Sequence, residues 1–142
     1  MNFTITELCQ SNTAKSLNIN NTPQQLYIYE NLFNLIVEFL QPLRDKIQKP
    51  IIISSGYRCE KLNKIVGGVA NSHHKIGTCA DITINGMTSK QLFDYIVKSK
   101  LKFTQLIDEH SGKKSWVHVE YQKINLKNEK LKYIDGKYIK VA

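Results

Sequence analysis

Apolar residues recur at intervals of three and four along the first third of the chain. After Pro23 this spacing predicts one amphipathic helix that ends near Lys49-Pro50 and turns a single apolar face to the core. Thr4 and Glu7 have capping-box spacing, which predicts a short N-terminal helix. Thr88 or Ser89 can cap a later helix. The apolar positions of the two longer helices are Leu32, Ile36, Phe39, Leu40, Leu43 and Ile47, then Leu92, Phe93, Ile96 and Val97.

Runs rich in β-branched and aromatic residues predict strands between and after these helices. The runs are residues 51–53, 80–84, 103–107 and 116–121. Leu131 to Ile134 and Lys137 to Val141 flank Asp135-Gly136, which predicts a terminal hairpin. Helices followed by an antiparallel sheet indicate an α+β fold. A length of 142 residues without a linker or repeat fits one domain, residues 1–142.

Candidate catalytic residues lie in two histidine-containing segments, Ser72 to Asp81 and Trp116 to Val119. They offer two imidazoles, His74 and His118, and the carboxylate of Asp81. Two nitrogen donors and one oxyanion form a three-ligand zinc set with a fourth position left for water, which suits hydrolysis. Gly77 permits a turn between His74 and Asp81. Adjacent side chains point apart, so His73 and His74 are not expected to share an ion.

The pattern Ser-x-His-x-x-Gly-x-Ala-x-Asp with a later Trp-x-His resembles the zinc D-alanyl-D-alanine carboxypeptidases. It also resembles the cell-wall L,D- and D,D-peptidases, which share a fold with the hedgehog signalling domain. The resemblance covers approximately residues 1–122, including Pro50 to Arg58 and Gln105 to Glu109, and leaves 123–142 as a C-terminal hairpin extension. It implies one zinc ion held by His74, Asp81 and His118, and an antiparallel sheet flanked by helices. Cys79 stands where the family commonly has alanine.

The resemblance also implies that Arg58 faces the substrate, where its guanidinium suits a carboxylate or a developing oxyanion. Several relatives carry a glutamate three residues before the last histidine, and that position here is Ser115. Glu109 resembles the glutamate that many small members carry after Gln-Leu-Ile, so the resemblance implies that it is the general base, returned to the metal by the 110–115 loop. Asp108, His110 and Glu120 remain alternatives, because a general base must lie within hydrogen-bond reach of its proton.

Ser72 and the cysteines are predicted to have supporting roles. Ser72 lacks a companion base, so we expect it on the substrate side of the ligand loop, steadying the turn. Cys9, Cys59 and Cys79 form no Cys-x-x-Cys pair, and we expect all three to be reduced. We expect Cys79 to be a buried packing residue, because a fourth protein ligand would close the metal site.

Charge and hydropathy limit the partners. A formal charge of +8 and a pI near 9.4 favour polyanionic surroundings such as anionic wall polymers. The lysines are dispersed and no nucleic-acid module is recognisable, which argues against specific nucleic-acid binding. No membrane span or secretory signal is recognisable. A phage enzyme held in the host cytoplasm until release, or carried in a virion, would need no signal.

Two functions follow from these patterns. The first is a monomeric zinc metallopeptidase that cleaves peptidoglycan stem peptides next to D-amino acids, as a carboxypeptidase or an endopeptidase. The alternative is a catalytically silent zinc-containing module that binds the cell wall or a protein, which the missing glutamate at Ser115 favours.

Overall fold

The computed structural model describes residues 1–142 as a six-stranded sheet and six α-helices, with the main core formed where helices pack on one face of the sheet. The helices are α1 (Ile5–Leu8), α2 (Asn12–Ser16), α3 (Leu26–Leu35), α4 (Gln41–Ile47), α5 (Glu60–Ile65) and α6 (Ser89–Ser99). The strands are β1 (Ile52–Ser55), β2 (Cys79–Thr83), β3 (Gln105–Ser111), β4 (Lys114–Glu120), β5 (Glu129–Ile134) and β6 (Lys137–Lys140). The α+β prediction is confirmed. No helix combines the length and apolar character that a bilayer crossing needs.

The sheet has the strand order β1-β2-β4-β3-β5-β6 and differs from the expected antiparallel sheet at one pair. Strands β3 and β5 are parallel, whereas the other four pairs are antiparallel. The parallel pairing arises because β4 ends beside the start of β3, where Glu120 pairs with Gln105. The segment that connects β4 to β5 stays at this end of the sheet, where the Asn128 side chain accepts a hydrogen bond from the Phe103 amide at 3.0 Å. Strand β5 therefore sets out beside β3 in the same direction.

The long helix predicted after Pro23 is interrupted in its middle. Between α3 and α4 the chain makes a π-helical turn, Ile36–Leu40, and the Gln41 amide donates to the Ile36 carbonyl five residues earlier. Pro42 follows directly. Because proline lacks an N–H and its ring crowds the carbonyl four residues back, a wider turn accommodates it without ending the helix. The short helices α2 and α5 were not predicted, since neither carries a full apolar repeat.

Alternation along the strands separates the core from the opposite face of the sheet. Buried Ala80, Ile82, Leu106, Val117 and Val119 belong to a core cluster of 22 residues that includes the apolar faces of α3, α4 and α6. Successive strand residues point to opposite faces. Asp81, His118 and Glu109 therefore project from the opposite face of the sheet, away from the core cluster, and we call this the site face.

Candidate active site

The three predicted ligand residues meet at one point. Asp81 of β2 and His118 of β4 are direct cross-strand partners, and His118 Nδ1 lies 2.9 Å from Asp81 Oδ1. His74 Nε2 lies 3.5 Å from the other oxygen, Asp81 Oδ2. The two imidazole rings have centroids 5.2 Å apart in an edge-on arrangement. One carboxylate thus has a ring nitrogen beside each of its oxygens.

A short 3₁₀ helix, His73–Ile76, presents His74 to the sheet. It ends at Gly77, whose φ of +79° is the left-handed conformation that glycine adopts without strain. The Nδ1–H of His74 donates to the Gly56 carbonyl at 2.7 Å. This bond fixes the ring tautomer and leaves Nε2 facing Asp81, as outer hydrogen bonds to metal-binding histidines usually do.

The segment that carries Gly56 is itself held by buried Asn21, a role that sequence reasoning missed. The Asn21 side chain donates to the Tyr57 carbonyl at 2.9 Å and to the Cys9 carbonyl at 2.8 Å, and accepts from the Cys59 amide at 2.7 Å. Asn21 belongs to a segment that carried the family resemblance, but only its partners in space reveal its function. It fixes the loop from which Gly56 holds His74.

The charges at this point are mutually dependent. Burial alone would raise the pKa of Asp81, but the two imidazoles outweigh it and hold that pKa well below its usual range. Burial alone would lower the pKa of His118, but the hydrogen bond and charge of Asp81 raise it. A cation among these groups would meet an ionised carboxylate.

These donors fit a zinc ion. Ligand atoms about 2.0–2.1 Å from a tetrahedral ion lie about 3.3 Å apart, and the distances of 2.9 Å and 3.5 Å at Asp81 bracket that separation. The ligand atoms of Asp81, Glu109 and His118 also lie within 4.8 Å of one another. The set of nitrogen and oxygen donors is one that zinc accepts.

Cys79 lies next to this set. It is fully buried, and its sulfur lies within 4.8 Å of a ring nitrogen of both His74 and His118. Burial, and then the charges of Asp81 and Glu120, raise the pKa of the thiol well above its ordinary value. Because the thiolate is the metal-binding form, this environment favours the uncharged thiol and a packing role in the metal-free protein.

Glu109 approaches the ligands from β3. The strand extends to Ser111, so Glu109 lies within it, contrary to the expected position after a strand ending at Ile107. Pairing with Trp116, and not the 110–115 loop, directs the side chain to the site. Its Oε1 lies 3.9 Å from His118 Nδ1. Burial, and then the charge of Asp81, raise the pKa of Glu109.

The alternatives to Glu109 have other partners. Asp108 faces the helices, where its Oδ1 accepts from Ser89 Oγ at 2.5 Å and lies 2.9 Å from His110 Nε2. His110 belongs to the same face by strand alternation. Glu120 lies on the site face, but its Oε2 accepts from Thr78 and Gln122 at 2.9 Å and 3.0 Å.

His73 lines the cleft but contacts Glu120, and no contact joins it to the proposed ligands, as its position next to His74 suggested. Its Nδ1 contacts the Glu120 carboxylate that Thr78 and Gln122 also bind. Sequence reasoning did not connect His73 with Glu120, because 47 residues separate them and only the fold brings them together.

Arg58 and Ser72 lie on the opposite side of the ligands from β3. Ser72 Oγ accepts from the His74 amide at 3.3 Å, which caps the ligand helix, and lies 3.4 Å from Arg58 Nη2. Arg58 forms no salt bridge, and its Nε is buried without a hydrogen-bond partner. Apart from the Nη2 contact to Ser72, no side chain binds the guanidinium, and Arg58 lines the same cleft as the proposed ligands.

One cleft of about 410 Å³ is lined by the three proposed ligands and by Arg58, Ser72, His73, Glu109 and Glu120. Its walls also include Gln105, Trp116 and Tyr138, which sequence reasoning did not assign to a site. Trp116 was visible as part of Trp-x-His, but Tyr138 lies in the C-terminal hairpin and carried no signal.

Comparison with known proteins identifies the family of this chain. The family model described as Peptidase M15 matches residues 1–120, more than half of the chain. The comparison with curated proteins found no match for the chain. The M15 family consists of zinc peptidases, in accord with the resemblance in the Ser72 to Asp81 and Trp116 to Val119 segments. By this match over residues 1–120, the chain belongs to the peptidase M15 family.

Proposed function

We propose that this protein is a zinc peptidase that hydrolyses the stem peptide of bacterial peptidoglycan at a bond next to a D-amino acid. The observation that carries the proposal is the convergence of Asp81, His74 and His118 beside Glu109 in one open cleft. Bound zinc would polarise the scissile carbonyl and increase the acidity of water. His74, Asp81 and His118 would hold it.

Glu109 is the proposed general base. It takes one proton of the attacking water on a carboxylate oxygen and passes it to the amine that leaves, so the peptide bond is replaced by a carboxyl group, which holds the second water proton, and a free amine. A carboxyl with a raised pKa suits both halves of this transfer, because a stronger base accepts the proton and remains able to return it.

Arg58 is the proposed anion-binding group. Arg58 lines the cleft across the ligands from Glu109, and apart from the Nη2 contact to Ser72 no side chain binds its guanidinium, so it can stabilise either a substrate carboxylate or the negative charge that develops on the attacked carbonyl. Ser72 holds the Arg58 side of the cleft through its contacts to Arg58 and to the His74 amide.

The experiment that tests this function is cleavage of purified peptidoglycan by the zinc-loaded protein, its Glu109→Gln variant and a Glu30→Gln control. Glu30 lies on the exposed side of α3, so its amide should leave the rate unchanged. Loss of the general base should lower the rate by about 10²–10⁴-fold. Chelation should abolish cleavage and zinc addition should restore it.

A silent binding module gives a different result. It would retain zinc and bind the wall, and the Glu109→Gln variant would match its parent in every assay. Peptidoglycan left intact by the zinc-loaded parent would favour this alternative and reject the peptidase.

A further inference from the structure

A row of aromatic residues crosses the sheet on either side of Glu109. In the strand register Glu109 pairs with Trp116 of β4 and with Tyr133 of β5, and Tyr133 pairs with Tyr138 of β6. Residues directly opposite one another in neighbouring strands point to the same face. All four side chains therefore lie on the face that carries the proposed catalytic groups.

Tyr138 reaches the cleft from the far end of this row. Its ring packs against Tyr133 with centroids 4.7 Å apart, and it lines the same cleft as Glu109 and His118. Its side chain is 63% exposed although it is large and aromatic, so most of its surface is free for a ligand. An exposed tyrosine offers an apolar ring and a polar hydroxyl to a partner.

The hairpin that supplies Tyr138 lies beyond the part of the chain that matches the family. The match ends at residue 120, whereas β5 and β6 span Glu129–Ile134 and Lys137–Lys140. The parallel pairing of β5 with β3 places this hairpin next to the strand of Glu109. The cleft thus gains a wall that the family-matching part of the chain does not supply.

Strand spacing gives the reach of this wall. Neighbouring strands lie about 4.8 Å apart, so β6 lies about 10 Å from β3. An extended peptide advances about 3.3 Å per residue. Tyr138 is therefore two or three peptide residues away from the bond beside Glu109. Glu109 returns its proton to the leaving amine. With Arg58 binding the developing oxyanion, the amine side of the cleaved bond lies toward β5 and β6.

We propose that Tyr138, supported by Tyr133, forms a subsite for the peptide on the amine side of the cleaved bond, two or three residues beyond it. The occupant is a peptide segment of peptidoglycan, whose backbone lies across the tyrosine ring. This inference rests on the proposed peptidase function and adds the recognition of long leaving groups.

The test compares two zinc-supported reactions of synthetic stem peptides that share the same scissile bond. One peptide has a single residue on the amine side and the other has four. For Tyr138→Ala, the ratio of kcat/KM for the long peptide to that for the short peptide should fall about fivefold to tenfold, mainly through KM. Tyr138→Phe should retain most of the ratio. Ile139→Ala, on the opposite face of the same strand, is the matched control.

The outcomes distinguish failure of the Tyr138 subsite from failure of the proposed peptidase function. An unchanged ratio in Tyr138→Ala, or a loss seen only with peptides extended on the carbonyl side, would overturn the subsite while leaving the peptidase in place. Failure of the parent protein to cleave either peptide or purified peptidoglycan would reject both. If Tyr138→Ala melts early, Tyr138→Thr keeps the preference for a strand and repeats the measurement.

Discussion

Asp81 and His118 face one another across two antiparallel strands, and their side chains meet at 2.9 Å. His74 comes from a 3₁₀ helix before β2 and approaches the second carboxylate oxygen. The sheet register therefore fixes two of the three proposed zinc ligands relative to each other, and a short loop supplies the third. A site held by strand pairing should tolerate little displacement of its ligands.

The first prediction concerns zinc retention. Replacing His74, Asp81 or His118 singly by alanine should lower zinc affinity by more than about a hundredfold, because each removes a direct ligand, and loss of an outer partner alone costs about 10–100-fold. The measurement is zinc content after dialysis against a graded chelator. His110→Gln, on the helix-facing side of the sheet, is the control. A variant at any of the three positions that keeps full zinc content would remove that residue from the ligand set.

The second prediction concerns Gly56, whose carbonyl accepts the His74 proton. A Cβ at this position would lie 2.2 Å from the Leu8 carbonyl oxygen, so the backbone must shift. We expect Gly56→Ala to lower the free energy of unfolding by about 2–4 kcal/mol and to weaken zinc binding as well.

Gly112→Ala provides the comparison for Gly56. It meets no atom within 4 Å but has a φ of +58°, so it reports backbone strain alone, about 1–2 kcal/mol. Chemical denaturation of both variants would separate the two costs. Equal destabilisation by Gly56→Ala and Gly112→Ala would mean that the backbone near Leu8 moves away from the new Cβ at little energetic cost.

The third prediction separates packing from coordination at Cys79. If the thiol only packs, Cys79→Ala should retain zinc affinity within a factor of about two and lose about 1–2 kcal/mol of stability from the missing buried atom. Zinc titration and thermal melting measure the two quantities. A drop in zinc affinity of a hundredfold or more would instead make Cys79 a ligand with His74 and His118.

Local patterns predicted the candidate site better than they predicted its surroundings. His74, Asp81 and His118 lie in compact motifs, and Glu109 lies close to one, so residue type and spacing were sufficient to nominate them. Asn21 and Tyr138 act through partners far away in sequence, and no periodicity marks such contacts.

The fold shows the same division. Strand and helix positions followed from apolar periodicity, whereas the parallel alignment of β5 depends on where β4 ends in the sheet. The π-helical turn depends on Pro42 within an otherwise regular apolar repeat, and the repeat alone does not reveal it. Tertiary register, which a single sequence does not display, decided the alignment of β5, whereas a local backbone effect of Pro42 decided the π-helical turn.

The last prediction links the proposed catalytic role of Glu109 to stability. Burial, and then the charge of Asp81, raise its pKa in the folded protein, so the folded state binds this proton more tightly than the unfolded chain does. The protonated carboxyl therefore contributes stability below the unfolded-chain pKa of about 4.3, and the contribution is lost as the pH rises through the folded-state pKa. At pH 7 the charged carboxylate opposes folding of the metal-free protein.

Glu109→Gln carries no charge at any pH, so in chelator it should melt at a higher temperature than the parent at pH 7. The difference should shrink toward zero as the pH falls below about 4, where the parent is also uncharged. Calorimetry across this range, with Glu30→Gln as the control, measures it. If the Gln variant melts below its parent at pH 7, then the attraction of the ionised carboxylate to His118 stabilises the fold by more than burial and the charge of Asp81 destabilise it. In that case Glu109 would stabilise the fold as well as serve the proposed reaction.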